Sequence, residues 1–306
     1  MPRAVLFTGK GGVGKTTAAA ATAALLAARG RKALVVSTDE AHSLADALGV
    51  PLGSAPREVA PGLGAMQVDA RERFEERWSA LRDWASALLG GPLDLAAEEL
   101  AAPPGAAEVL ALLEVREQVE HGPWDAVLVD CAPTADTLRL LALPELLTFY
   151  LERLWPRHRR MVRALGRAPS PVQDAVGRLH DELLAVRSLL LESSVRLVLT
   201  PEAVVVAEAR RTLTALALHG YPVDALIVNR VFPPEAGESA WGAAWRSTQA
   251  AALAELAESG LPLHVSTYRP AEPVGVPALV SLGRELYGGA DPLGVAPVLP
   301  PLAVDR

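Results

Sequence analysis

Residues 4–17 read Ala-Val-Leu-Phe-Thr-Gly-Lys-Gly-Gly-Val-Gly-Lys-Thr-Thr, an apolar run followed at once by a glycine-rich loop. The spacing Gly9-x4-Gly14-Lys15-Thr16 is that of a phosphate-binding loop. Gly11, Gly12 and Gly14 let the backbone turn tightly and aim successive N–H groups at an anion. A helix is expected over residues 15–29, stopped by Gly30, and it adds its positive N-terminal end to the same point. Lys15 is expected to reach the β- and γ-phosphates of a nucleotide, and the Thr16 hydroxyl to hold Mg²⁺. The strand before and the helix after are the context this motif needs, so a chance glycine turn is the weaker reading.

Of 29 Lys and Arg residues, only Lys10, Lys15 and Lys32 are lysine. Two of these lie in the loop, where a compact ammonium on a flexible stem suits a phosphate better than a planar fork. A solvated surface charge is the competing reading of Lys10.

The chain has 306 residues, enough for a full core as one large α/β domain or two small ones. Half of the residues are hydrophobic, which excludes a disordered chain. No uncharged apolar run is long enough to cross a membrane, and the first strand at residue 4 leaves no room for a signal peptide. The expectation is a soluble, cytoplasmic protein. The single cysteine, Cys131, excludes an intrachain disulfide and an all-cysteine metal site within one subunit. A net charge of −7 argues weakly against whole-surface binding to nucleic acid or anionic lipid, and no sequence-specific nucleic acid partner is expected.

Strand-like and helical stretches alternate, the pattern of a parallel sheet with crossover helices. Strands are expected at 4–8, 33–38, 126–130, 196–199, 225–229 and 263–266, with an edge strand at about 65–68. A short helix is expected over 41–48, and longer ones to about 219, over about 241–258 and over about 276–287. Two stretches, 71–121 and 144–192, break the alternation and read as helical. In the first, Phe74, Trp78, Leu81, Ala85, Leu88 and Leu89 share one helical face. The expected fold is α/β: a P-loop NTPase whose mostly parallel sheet is flanked by helices, with helical insertions forming a subdomain. Residues 1–290 are read as one domain, and 291–306 as a Pro-rich C-terminal tail expected to pack loosely or fray.

Ligands bind outside the carboxyl ends of the strands in such a sheet. Thr8, Asp39, Asp130, Thr200 and Asn229 all fall there. Asp130 ends an apolar strand, where a carboxylate joins the Mg²⁺ shell, with water between. Asp39 is placed to orient the water that attacks the γ-phosphate. Helix N-caps are the competing reading for both, and a strand-end turn is the competing reading for Asn229.

The loop Gly9-Lys-Gly-Gly-Val-Gly-Lys-Thr-Thr17 resembles the deviant phosphate loop of ATPases of the MinD, ParA, nitrogenase iron protein and ArsA type. The resemblance implies that Lys10 reaches the phosphates of a partner subunit, so that hydrolysis belongs to a homodimer. Residues 37–46, Ser-Thr-Asp-Glu-Ala-His-Ser-Leu-Ala-Asp, are similar to switch I of ArsA-type ATPases and of the tail-anchored protein targeting ATPase. Glu40 departs from their usual proline. Residues 130–141 resemble their switch II: Asp130, Pro133, Thr134 and Arg139 match, while Cys131, Ala135 and Asp136 depart. Pro104, Gly105, Glu108 and residues 227–230 match as well. The chain is therefore identified as resembling the ArsA-like group. By that resemblance Lys10, Lys15 and Asp39 are catalytic, and Asp39, His42, Asp130, Pro133 and Thr134 form the switch. Gly9, Lys10, Gly11, Gly12, Val13, Gly14, Lys15, Thr16 and Thr17 hold ATP, with Asn229 and Pro273 at the adenine. Thr16 and Asp130 serve the Mg²⁺.

His42 is read as packing beside Asp39, since no second histidine or cysteine near it would complete a metal site. Cys131 is read as a small buried residue. The arginine-rich stretch 153–167 is a solvated helix face or a docking patch for an acidic partner or membrane. The expected function is an Mg-dependent ATP hydrolase, a nucleotide-switched homodimer carrying hydrophobic or tail-anchored membrane-protein segments. The alternatives are the motor of an arsenite-type efflux system, with some membrane partner, and a positioning switch like ParA or MinD. A nucleotide-gated binding module without turnover is a further one. One cysteine per chain counts against a thiol site for As(III), and only three methionines count against an adaptable client groove.

Overall fold

The structure, a computed structural model, describes residues 2–38, 43–68, 106–131, 181–182, 184–235 and 239–300. Asp39, His42, Pro133 and Thr134 lie outside these, as do the helical face of Phe74, Trp78, Leu81 and Leu88 and the arginine-rich stretch 153–167. The chain divides into two compact units: Met1–Val68, Glu117–Leu138 and Leu190–Arg306 in one, Asp69–Arg116 and Arg139–Leu189 in the other. The site lies wholly within the first.

That unit is built on an eight-stranded sheet. Its strands are β1 Arg3–Thr8, β2 Ala33–Ser37, β3 Arg57–Ala60, β4 Leu63–Gln67, β5 Ala126–Asp130, β6 Ser194–Leu199, β7 Val223–Val231 and β8 Leu263–Thr267. Their order across the sheet is β3-β4-β2-β5-β1-β6-β7-β8, and only β3 runs antiparallel to its neighbour. The described helices are α1 Lys15–Ala28, α2 Ser43–Leu48, α3 Ala106–His121, α4 Ala203–Leu218, α5 Ala240–Ala257 and α6 Val276–Tyr287. β1, β2 and β5 are continuous apolar runs, as strands covered on both faces must be. The P-loop NTPase class of fold, read from strand spacing and the glycine loop, is the fold observed.

β1 sits at the centre, between β5 and β6. The register sets Phe7 and Ser37 opposite Asp130, so three strands end level with one another. On one face α1 packs against α6 with its alanines Ala20, Ala21 and Ala24 buried. Small residues let the two helices approach: a Cβ on Gly283 of α6 would stand 2.6 Å from the Ala21 carbonyl oxygen. Phe7, Leu25, Leu128 and Leu282 fill the layer between helices and sheet.

The sheet edge differs from expectation. β4 is paired on both sides, by β2 and β3, and β3 is the edge. Arg57-Glu58 is charged and exposed, so this strand lacks the apolar run that marks its neighbours, and its hairpin is closed by the Glu58 carboxylate accepting from Gly62 N at 3.0 Å. The tail also differs, through residue 300. Its Pro292 carbonyl accepts from Arg196 Nη2 at 3.0 Å, its Val295 carbonyl from Arg3 at 2.6 Å and its Leu293 carbonyl from Arg3 Nη1. Val298 pairs with Val223 through two backbone bonds of 2.8 and 2.9 Å.

The group that holds the tail is a buried ion cluster within the apolar sheet. Arg196, fully buried in β6, forks onto Asp224 with bonds of 2.9 and 2.6 Å and donates to the Tyr287 hydroxyl at 2.8 Å. Asp224 also accepts from Ser194 at 3.0 Å and Arg3 at 3.1 Å. Tyr287 in turn bonds Thr22 of α1 at 2.7 Å. Asp224→Ala strands two arginines, one of them without water, and is expected to lower the unfolding free energy by about 3–5 kcal/mol. Urea melts followed by circular dichroism would show it; a loss under about 1 kcal/mol would mean that the cluster does not hold this end of the fold.

Candidate nucleotide site

The cradle is made by backbone held close to its neighbours. Gly9 leaves β1 at φ 154, and a Cβ there would stand 2.0 Å from the Val198 carbonyl oxygen of β6. Gly14 caps α1 in the left-handed region, at φ 93, and a Cβ there would meet Asn229 Nδ2 at 2.3 Å. Between them, a Cβ on Gly11 or Gly12 would meet nothing within 4 Å. The loop is thus packed tightly at its two ends and opens onto empty space in between, the shape that an anion held by N–H groups requires.

Lys15 is 6% exposed and folds back over the loop, its ammonium 3.4 Å from the Lys10 carbonyl oxygen. The Lys10 side chain is half-exposed, and its ammonium lies 3.5 Å from Glu208 Oε2 of α4. The two loop lysines therefore have separate surroundings. Thr16 Oγ1 lies 2.9 Å from Ser43 Oγ, the first residue of α2. Asp130 is fully buried; one carboxylate oxygen accepts from Ser37 at 3.2 Å, and its carbonyl accepts from Thr38 N at 2.9 Å. Burial, then the adjacent Asp130 charge, pushes the Cys131 thiol well above its ordinary range, so it stays protonated.

A cavity of about 750 Å³ opens over this loop, within the size range of small-molecule sites. Gly12, Gly14, Lys15, Thr16 and Thr17 line one side. Asn229 and Arg230 of β7, residues 267–274 from the end of β8 onward, Ser43, Asp46 and Ala47 of α2, and Leu282 of α6 line the rest. Of the residues expected from the sequence, Gly12, Gly14, Lys15, Thr16, Thr17, Asn229 and Pro273 line this cavity; Gly9, Lys10, Gly11 and Val13 do not, and Asp130 ends β5 opposite Phe7 of β1. Asn229 is more engaged than expected. Its Nδ2 donates to the Val13 carbonyl at 3.0 Å, and its Oδ1 accepts from Ser266 at 2.6 Å and from Arg230 N at 3.0 Å. One amide hydrogen remains for a ligand.

The loop carrying Pro273 is fixed at both ends. Glu285 of α6 accepts from Thr267 N at 2.6 Å, from the Thr267 hydroxyl at 2.7 Å and from Arg269. Burial alone would raise this carboxyl; the bonds from Thr267 and Arg269 outweigh it and hold it below its ordinary pKa. At the far end Gly275 N donates to the Ala47 carbonyl of α2 at 2.9 Å. Ser43, Glu208, Arg230 and Glu285 were not read from the sequence as site residues. Ser43, in the stretch 37–46, and Arg230, in the stretch 227–230, lay within segments that resemble the family; Glu208 and Glu285 carried no signal.

For a metal, no cluster of three His, Cys, Asp or Glu side chains occurs among the described residues. Mg²⁺ needs none. It takes one or two protein oxygens and completes its octahedron with phosphate and water, and the Thr16 hydroxyl at the start of α1 and the buried Asp130 carboxylate at the end of β5 are donors of that kind.

A glycine cradle after the central strand of a sheet in this order defines a P-loop nucleotide hydrolase. The family model described as anion-transporting ATPase matches residues 2–288. A relative in Chlorobaculum tepidum that carries the name of an arsenical pump-driving ATPase is 33% identical over 99% of this chain and 80% of its own length. Protein Rv2184c of Mycobacterium tuberculosis is 37% identical over 97% of this chain and 79% of its own length. ATPase GET3B of Arabidopsis thaliana is 31% identical over 92% and 78%. The chain belongs to the anion-transporting ATPase family, and it is an ATPase. Among the described residues, no helix is long and apolar enough to cross a membrane.

The crowding at Gly14 gives a direct test. Gly14→Ala adds a Cβ at 2.3 Å from the Asn229 amide in left-handed backbone, and is expected to weaken ATP binding about 10-fold or more. Titration with a fluorescent ATP analogue reads this; unchanged affinity would mean that the loop conformation described here is not the binding one.

Proposed function

We propose that this ATPase is Mg²⁺-dependent, that it works as a nucleotide-switched homodimer with two composite sites, and that it acts in the cytoplasm on hydrophobic protein segments. The observation that carries the reading is the division of labour between the loop lysines. Lys15 is buried in the cradle, while Lys10 is half-exposed and turned toward α4. A half-exposed lysine in so long an ion pair can exchange Glu208 for a phosphate of a second subunit.

In this reading Lys15 and the loop N–H groups bind the β- and γ-phosphates. The Thr16 hydroxyl, and Asp130 through water, hold Mg²⁺, which when bound spreads charge from the phosphate oxygens. Asp39 orients the attacking water, and Lys10 neutralises charge across the dimer. Asn229 and Pro273 receive the base. Asp39, His42, Asp130, Pro133 and Thr134 form the switch that relays the presence of the γ-phosphate.

The names of several relatives favour a second reading, the motor of an arsenical pump. Cys131 counts against metalloid control through thiols: it is the only cysteine, and it is buried with its thiol held protonated.

Lys15→Ala is expected to abolish turnover together with nucleotide binding. Asp39→Asn should bind ATP almost normally and hydrolyse it about 10²-fold more slowly or worse. Normal phosphate release by Asp39→Asn would remove the proposed mechanism. Held in ATP, the same variant is also the trap for a client. Proteins with one hydrophobic segment near a terminus are expected to co-purify with it, and an integral transporter in their place would favour the pump.

Lys10→Ala should leave ATP binding by the monomer intact and remove ATP-dependent dimerisation, measured by light scattering after gel filtration. Dimerisation and turnover both at wild-type level would exclude composite sites.

A further inference from the structure

Arg230 adopts φ 60, the one positive φ of a non-glycine residue among those described. The left-handed region costs an arginine roughly 1 kcal/mol or more, where glycine would sit without strain. The conformation is imposed from several sides. The ladder of β7 with β8 breaks register between Val228 and Val231. The Arg230 N–H donates to Asn229 Oδ1 at 3.0 Å, and its carbonyl accepts from Gln249 Nε2 at 3.4 Å. Gln249 is buried on α5, and its Oε1 accepts from Phe232 N at 2.8 Å. At the residue after Arg230, the Val231 carbonyl accepts from Tyr268 N at 2.7 Å.

Nothing in the fold asks for an arginine at this point. The side chain is exposed, makes no ion pair among the described residues, and covers no core. A bulge of this sort re-aims a side chain, and here that side chain lines the nucleotide cavity beside Asn229 and Tyr268. The cavity has two other cations. Lys15 serves the phosphate loop, and Arg269 is tied to Glu285. Among the described residues that line the cavity, Arg230 is the cation still available, and it follows directly on Asn229, whose amide keeps one hydrogen for a base. A planar guanidinium binds the face of an aromatic ring.

We infer that Arg230 is a further nucleotide-binding residue, its guanidinium lying against the face of the base whose edge Asn229 reads. The backbone strain at φ 60 is what aims it there. This rests on the assignment of the cavity to ATP.

The test compares ATP with inorganic tripolyphosphate by calorimetry, on wild-type protein and on Arg230→Gly, Arg230→Lys and Lys15→Ala, with a thermal melt of each. Arg230→Gly is expected to bind ATP roughly 5- to 30-fold more weakly, the range of a partly desolvated cation–π contact. It should bind tripolyphosphate within about twofold of wild type and melt no lower, since glycine relieves the strain. Arg230→Lys keeps the charge without the plane and should fall between. ATP affinity unchanged in Arg230→Gly, an equal loss for tripolyphosphate, or a lower melting temperature would each overturn the inference. If Lys15→Ala leaves ATP binding intact, the nucleotide binds elsewhere, and the cavity assignment fails whatever the Arg230 variants do.

Discussion

The close approach of backbone to backbone at the phosphate loop is what the surrounding structure is arranged to permit. Gly9 lies against the Val198 carbonyl and Gly14 against the Asn229 amide. Neither contact leaves room for a side chain, and both bring the loop up to the strands on one side of β1. Asn229 then fixes the depth of the loop by donating to the Val13 carbonyl at 3.0 Å. The same residue accepts from Ser266 at the end of β8. The loop is therefore part of a bonded continuum from β1 through β7 to β8. An anion entering the cradle meets N–H groups whose positions are already set, so little ordering entropy is lost on binding.

α2 occupies an unusual position in this arrangement. Its first residue, Ser43, bonds Thr16 in the loop, and Ala47, one turn later, accepts from Gly275 at the end of the segment carrying Pro273. Glu285 anchors the start of that segment. One short helix thus touches both the expected metal ligand and the far wall of the cavity. A change at Thr16 can pass to the base side through a rigid turn, with no need for a longer path.

Much of this was legible in the sequence because the features are local. β1, its loop and α1 are specified by contiguous residues, and α6 runs over Val276–Tyr287 as its pattern indicates. The alignment of Asp130 with the end of β1 followed from the rule that ligands gather at carboxyl ends. What was not legible depends on partners distant in the chain. Arg196 breaks an apolar strand, and only Asp224, Tyr287 and the Pro292 carbonyl explain it. β3 was missed because a charged edge strand has no apolar run to announce it. The positive φ of Arg230 goes with a bond from Gln249 to its carbonyl and a register break against β8, and no spacing rule connects these. Asp39 and His42 lie outside the described residues, so the switch rests on resemblance alone.

The buried cluster around Asp224 also bears on how the chain reaches this state during synthesis. Arg196 and Asp224 leave the ribosome well before Tyr287 and Pro292, which supply the remaining bonds to the guanidinium. Until then β6 carries a charge that the sheet cannot fully shelter. The last bonds to the guanidinium therefore come from residues that follow β7 and β8, the strands that back the phosphate loop.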